Sequence, residues 1–209
     1  MKSISAIELS LFANRVEAIC DEMGAVLQRT AFSPNIKDRL DFSCAVFDHE
    51  GALCAQAAHI PVHMGSMAYA MRSIVQGFEW CAGDMIILND PYLGGTHLPD
   101  VTVVAPVYVD ASLVGFLANR AHHADIGSET PGSMPISSVL EEEGIVISPR
   151  KLVQAGVLDE DVLNWIGQQT KNQTQTRGDF AAQISANRTG LAGLSTLVTS
   201  MGAEPGVQS

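Results

Sequence analysis

Two short stretches hold the side chains best suited to chemistry: His97-Leu98-Pro99-Asp100 and His122-His123-Ala124-Asp125. Half of the chain's six histidines fall in them. Imidazole nitrogen and carboxylate oxygen are the usual donors to a divalent transition ion that keeps one coordination position open. Two histidines with one or two carboxylates suit Zn²⁺, Mn²⁺ or Fe²⁺, and the lack of cysteine nearby speaks against a closed structural zinc. A lone His-x-x-Asp also has a plainer reading, with Asp100 capping a turn and His97 hydrogen-bonded to it. In a strict strand, positions three apart face opposite sides, so convergence of His97 and Asp100 requires a loop, which Pro99 supplies. In extended chain His122 and His123 also diverge, which leaves one of them beside an ion rather than on it.

The elements around these stretches decide whether they meet. Residues 101–109 and 113–119 read as paired strands joined by a turn at 110–112. In an antiparallel pair the start of one strand lies beside the end of the next, so residues 97–100 and 122–125 are expected to be spatial neighbours. The loop at 89–99, rich in Pro, Gly, Asn and Asp, enters the first strand, and a second loop at 122–138 leaves the other. Gly94, Gly95 and Gly127 fit either tight turns or close approach of backbone to something else.

Upstream, residues 5–30 show a helical period, which Ser33-Pro34-Asn35 breaks. Residues 42–47 and 52–58 read as a hairpin, residues 59–67 as irregular, 68–77 as a helix and 85–88 as a short buried strand. Downstream, residues 151–156 and 159–170 read as short helices, the second capped by Asp159 or Asp161. Residues 170–179 are polar, and 179–202 form a last helical stretch that Gly190 and Gly193 weaken. The class is therefore α+β: a long N-terminal helix, antiparallel hairpins and C-terminal helices, with no internal domain boundary.

Softer candidates lie outside the two stretches. Asp38 and Asp41 flank Arg39 just before a strand, where a carboxylate could act as a general base or simply pair with the arginine. His59 and His63 have the spacing of two ligands on a helix, but Pro61 between them speaks against a regular one.

A chain of 209 residues with 46% hydrophobic and 17% charged residues suits one domain, or one large piece of a bigger one. A net charge of −11 speaks against nucleic acid or an anionic membrane as the main partner. No apolar run approaches the roughly 20 residues that span a bilayer, and the N-terminus reads as an amphipathic helix rather than a secretion signal. Four cysteines without C-x-x-C spacing fit free thiols and a cytoplasmic location. A P-loop signature is missing, so the chain carries no ATP site of that kind.

The stretches RTAFSPNIKDRLDFSCAVFDHEGALCAQAAHIPVHMGSM, GDMIILNDPYLGGTHLPDVTVVAPVY, RAHHADIGSETPGSMP and EEGIVISPRKLVQAG resemble the hydantoinase B family, from about residue 7 to about residue 198. That family includes B-type subunits of ATP-dependent N-methylhydantoinases, the matching region of 5-oxoprolinase, and related subunits of acetone and acetophenone carboxylases. The resemblance implies a divalent metal (Zn, Mn or Fe) held by His97, Asp100 and His122, with His123 and Asp125 beside the ligands or facing substrate. It implies a hydantoinase A-like partner that binds ATP and Mg and phosphorylates the carbonyl oxygen of a lactam or imide. Metal-bound water then attacks the activated carbonyl, and Asp41 or Asp38 relays the proton. Complete family members are longer, so the chain is expected to be the N-terminal portion of a larger subunit, part of a hetero-oligomer and inactive alone. A ketone-carboxylase subunit, or a non-catalytic piece with an assembly role, are the competing expectations.

Overall fold

The structure is a computed structural model that describes residues 5–58, 61–130 and 137–202. Helix α1 (Ala6–Thr30) starts at a capping box: the Ser5 side chain accepts from the Glu8 amide, and Glu8 reaches back to the Ser5 amide. After the single turn of α2 (Pro34–Lys37) come the strands β1 (Phe42–Asp48) and β2 (Leu53–Ala58). Helix α3 (Pro61–Gln76) leads to β3 (Met85–Leu88), β4 (Asp100–Val109) and β5 (Ser112–His122). The chain ends with β6 (Arg150–Gln154), β7 (Val157–Leu158), α4 (Glu160–Gly167) and α5 (Gln173–Gly202).

The seven strands form one sheet in the order β2-β1-β5-β4-β3-β6-β7, and every neighbouring pair is antiparallel. Side chains alternate across it. Phe42, Cys44, Val46, Val107, Leu117 and Ala121 pack with α1 and α5 on one face. Ala45, Phe47, Val104, Phe116 and Ala118 pack with Met67, Ala70, Met71 and Ile74 of α3 on the other. The sheet is thus sandwiched between one long helix pair and α3, an α+β architecture.

Three elements differ from the sequence reading. Residues 150–154 form β6, paired with β3, and not a helix. So short a segment cannot separate a period of 3.6 from one of 2, and the tight turn at Ala155 and Gly156 (φ 48° and 86°) returns the chain into β7. Helix α3 begins at Pro61, well before residue 68. Proline fits the first helical position, where the missing N–H would have no partner in any case. Finally, α5 runs unbroken through Gly190 and Gly193 because both lie against α1: a Cβ on Gly190 would collide with Met23, and one on Gly193 would crowd Ile19. Asp159 is the N-cap of α4, accepting from the amides of Asp161 and Val162. All four cysteines are free. Among the described residues no helix is long and apolar enough to cross a membrane.

Candidate metal centre

The face of the sheet under α3 collects a polar group at the ends of β4 and β5. Asp100 and His122 are directly paired across the two strands. Thr102 and Arg120, one same-face pair further in, share that side by strand alternation, and Ser43 enters it from β1. Loop 89–99 folds over this end. Gly94 adopts φ 115° and lies so close to Ala70 of α3 that a Cβ would clash. Buried Asn89 ties the loop down: its side-chain amide donates to the carbonyls of Leu98 and Ile145, and its carbonyl accepts from Ile147 N–H.

Within this frame the imidazoles surround Asp100. His97 Nε2 lies 2.9 Å and His122 Nδ1 3.1 Å from Asp100 Oδ1. His63 Nε2 lies 3.2 Å from Oδ2, and Thr96 Oγ1 donates to the same oxygen at 2.6 Å. Asp41 sits opposite, with Oδ2 3.7 Å from His122 Nδ1 and Oδ1 3.8 Å from His63 Nε2. The turn that closes with Asp100 N–H donating to the His97 carbonyl brings these two side chains together despite their spacing of three.

Burial and charge act together here. Burial alone would push the Asp100 carboxyl up, but hydrogen bonds from His122, His63 and His97 outweigh it and hold the group far below the usual carboxylate range. Asp100 is therefore an anion, able only to accept. The hydrogen bond to Asp100 in turn raises His97 above the ordinary histidine value. Arg120, wholly buried, donates to Thr102 Oγ1, Ser66 Oγ and the Gly94 carbonyl, and burial lowers its pKa to about 10 although Asp100 works against that shift.

The donor set fits a divalent cation. The ligand atoms of His97, Asp100 and His122 lie within 4.8 Å of one another, and so do those of Asp41, His63 and Asp100. Two imidazoles and a carboxylate on one side, with Asp41 and His97 each 27% exposed at the rim, leave an accessible face as an open-sided site requires. Asp38 is exposed at the end of α2, and none of the ion pairs that knit the group together includes it. His123 sits on the opposite face of the sheet. Its Nε2 lies 2.9 Å from Gln183 Oε1 of α5, its ring lies tilted against Phe180 with centroids 4.6 Å apart, and burial lowers its pKa. A direct role for His123 in chemistry at Asp100 does not fit that placement. Asp125 is consumed by backbone, accepting from Gly127, Lys171 and Asn172 amides at the start of α5. His59 lies outside the described residues. His63, which Pro61 argued against as a helical ligand, stands at the centre because α3 starts early.

Fold and site together define an α+β protein whose strand ends gather a histidine–carboxylate group. The chain belongs to the Hydantoinase B/oxoprolinase family, which matches it over residues 5–207. A 5-oxoprolinase of Dictyostelium discoideum is 42% identical over 202 residues, covering 95% of this chain and 16% of its own. The 5-oxoprolinase 1 of Arabidopsis thaliana is 40% identical over 211 residues, covering 94% of this chain and 17% of its own. The crystal structure of the ATP-dependent caprolactamase from Pseudomonas jessenii superposes with a TM-score of 0.88 at 30% identity, over 97% of this chain and 35% of that one. The chain therefore spans between about a sixth and about a third of these relatives' lengths. The fold also recurs in acetone carboxylase, with a TM-score of 0.81 at 21% identity.

Proposed function

We propose that this chain is the cation-holding part of an ATP-dependent cyclic-amide hydrolase of the hydantoinase and 5-oxoprolinase type. The observation that carries the reading is the position of Asp100 Oδ1, 2.9 Å from His97 Nε2 and 3.1 Å from His122 Nδ1. Family membership and the names of the relatives support the substrate class. His97, Asp100 and His122 would hold Zn²⁺, Mn²⁺ or Fe²⁺. Such an ion, when bound, supplies Lewis acidity and brings the pKa of a coordinated water from about 15.7 toward about 7.

The chain's own groups do the rest. Asp41, at the exposed rim and facing His122, takes the proton of the water that adds to the ring carbonyl. Asp100 and His122 are buried and keep their geometry through the pairing of β4 with β5, and His97 joins them from the rim. The amide carbonyl is a poor electrophile, so its oxygen is phosphorylated first, by ATP and Mg in a hydantoinase A-like partner. Water then adds to that carbon, the C–N bond breaks as nitrogen takes a proton, and a second water hydrolyses the resulting acyl phosphate to carboxylate and phosphate.

The test pairs the chain with an A-type partner and measures ATP-coupled opening of hydantoin or 5-oxoproline. Asp41→Asn is expected to lower turnover by about 10²–10⁴-fold while the cation stays bound. Bicarbonate-dependent consumption of acetone, with no ring opening, would replace this reading by a ketone carboxylase. An unchanged cation content in both His97→Ala and His122→Ala would remove the site.

A further inference from the structure

Resting on the cation site just proposed, a second question is what makes Asp100 present a single oxygen to it. The two carboxylate oxygens have different company. Oδ1 faces His97 and His122. Oδ2 accepts from Thr96 Oγ1 at 2.6 Å and lies 3.2 Å from His63 Nε2. Asp100 is ionised and can only accept, so His63 Nε2 carries the proton of that contact. In the neutral ring Nδ1 is then an acceptor, and its partner is Ser43 Oγ at 3.2 Å, which must donate. A directed chain runs from Ser43 on β1 through His63 on α3 to Asp100 on β4. His63 is 1% exposed, so water cannot replace either bond cheaply.

We infer that His63 is a positioning residue: with Thr96 it occupies Oδ2 of Asp100, leaving Oδ1 for one divalent cation, and Ser43 fixes the ring that does so. The rival geometry is a second cation among Asp41, His63 and Asp100, whose ligand atoms are close enough to share one. The two partners of Oδ2 argue against it. With Thr96 Oγ1–H and His63 Nε2–H both on that oxygen, an ion bridging His63 and Asp100 would have to displace the His63 proton that now occupies its second lone pair.

The test titrates the purified full chain with Mn²⁺, following free Mn²⁺ by its EPR signal and checking folding by circular dichroism. Wild type is expected to bind one Mn²⁺ per chain. His63→Ala should bind it about 10–100-fold more weakly, the usual loss when a ligand's hydrogen-bond partner is removed. His63→Gln places an amide N–H where Nε2–H was and should recover most of that loss. Ser43→Ala, which removes only the far hydroxyl, should weaken binding by less than about 10-fold, below the loss in His63→Ala. If His63→Ala does not fold, the glutamine and Ser43→Ala variants decide the matter. Two Mn²⁺ in wild type with one lost in the His63 variants would overturn the assignment, and so would unaltered affinity in all of them. A glutamine variant as weak as the alanine one would overturn it too, by making the ring itself a ligand. Absence of any Mn²⁺ from wild type would sink the cation-holding function as well, which separates that failure from a failure of His63 alone.

Discussion

Asp100 on β4 and His122 on β5 are cross-strand partners, and their side chains meet at 3.1 Å between Oδ1 and Nδ1 on the face beneath α3. As the terminal pair of the β4–β5 ladder, these two residues are set in place by the register of the strands and not by a loop. Only His97 comes from a loop, and that loop is clamped by Asn89 from below and by Arg120 through the Gly94 carbonyl.

Removing donors should therefore have graded effects. Asp100→Asn leaves the shape nearly unchanged but deprives three imidazoles of their anion. Its cation affinity is expected to fall by more than the about 10–100-fold typical of an outer partner. His97→Ala and His122→Ala should do the same, and His123→Ala should not. Elemental analysis after gel filtration reads all four. A His123→Ala protein as empty as Asp100→Asn would show that the opposite face of the sheet matters to the site.

The pH response of the metal-free chain has a definite sign. His97 is raised above its ordinary value of about 6.5 by its hydrogen bond to Asp100. The stability it contributes is fully present below about pH 6.5 and is lost as the pH rises through the folded value. Cation binding needs the neutral ring, so it should weaken as pH falls and should release protons in that same window. Calorimetry in buffers of different ionisation enthalpy measures the protons. Equal proton release by wild type and His97→Ala would contradict this account.

Much of this arrangement was legible in the sequence. The pairing of 101–109 with 113–119 already made residues 97–100 and 122–125 neighbours, and the two-residue period already separated His122 from His123. The residues alone left open which of the two joins Asp100; the family resemblance implied His122, and the folded chain puts His122 beside Asp100 and His123 against α5. His63 was hidden because Pro61 reads as a helix breaker unless it is known to be the first residue. Arg120 and Asn89 gave no signal, since nothing in a sequence distinguishes a buried arginine in a strand from one that reaches solvent. Gly190 and Gly193 read as weak points in a helix, whereas contact with Met23 and Ile19 is what excludes larger residues there.

Just before β3, Asp84 predicts how the chain meets acid. Burial pushes its carboxyl up, but hydrogen bonds from Lys151, Ala155 and Cys81 prevail and its pKa lies below the ordinary value. A depressed carboxylate stabilises the fold above its unfolded pKa of about 3.9, and that contribution is lost as pH falls through the folded value. Asp84→Asn should cost about 2 kcal/mol at pH 7, the range for hydrogen bonds to a charged group. The gap between variant and wild type should narrow only below about pH 4. Thermal unfolding from about pH 3 to about pH 7 gives the curve, and a constant gap would refute the assignment.

Arg120 offers the sharpest stability test. It is fully buried, and its three hydrogen bonds go to a strand, a helix and a loop rather than to a carboxylate. Burying an arginine without a bonded anion is unfavourable in itself, and Asp100 is the nearby charge that offsets part of that cost. Arg120→Met deletes the charge and removes a donor from the Gly94 carbonyl and from the Thr102 and Ser66 hydroxyls, with an expected loss of about 3 kcal/mol. Arg120→Lys keeps the charge but a point ammonium cannot reach three directions at once, so it should recover less than half. Because Gly94 belongs to the loop that carries His97, both variants should also bind the cation more weakly, the methionine one more so. Urea unfolding and cation titration on the same preparations separate the two effects. Loss of stability without any change in affinity would confine Arg120 to the fold and free the His97 loop from it.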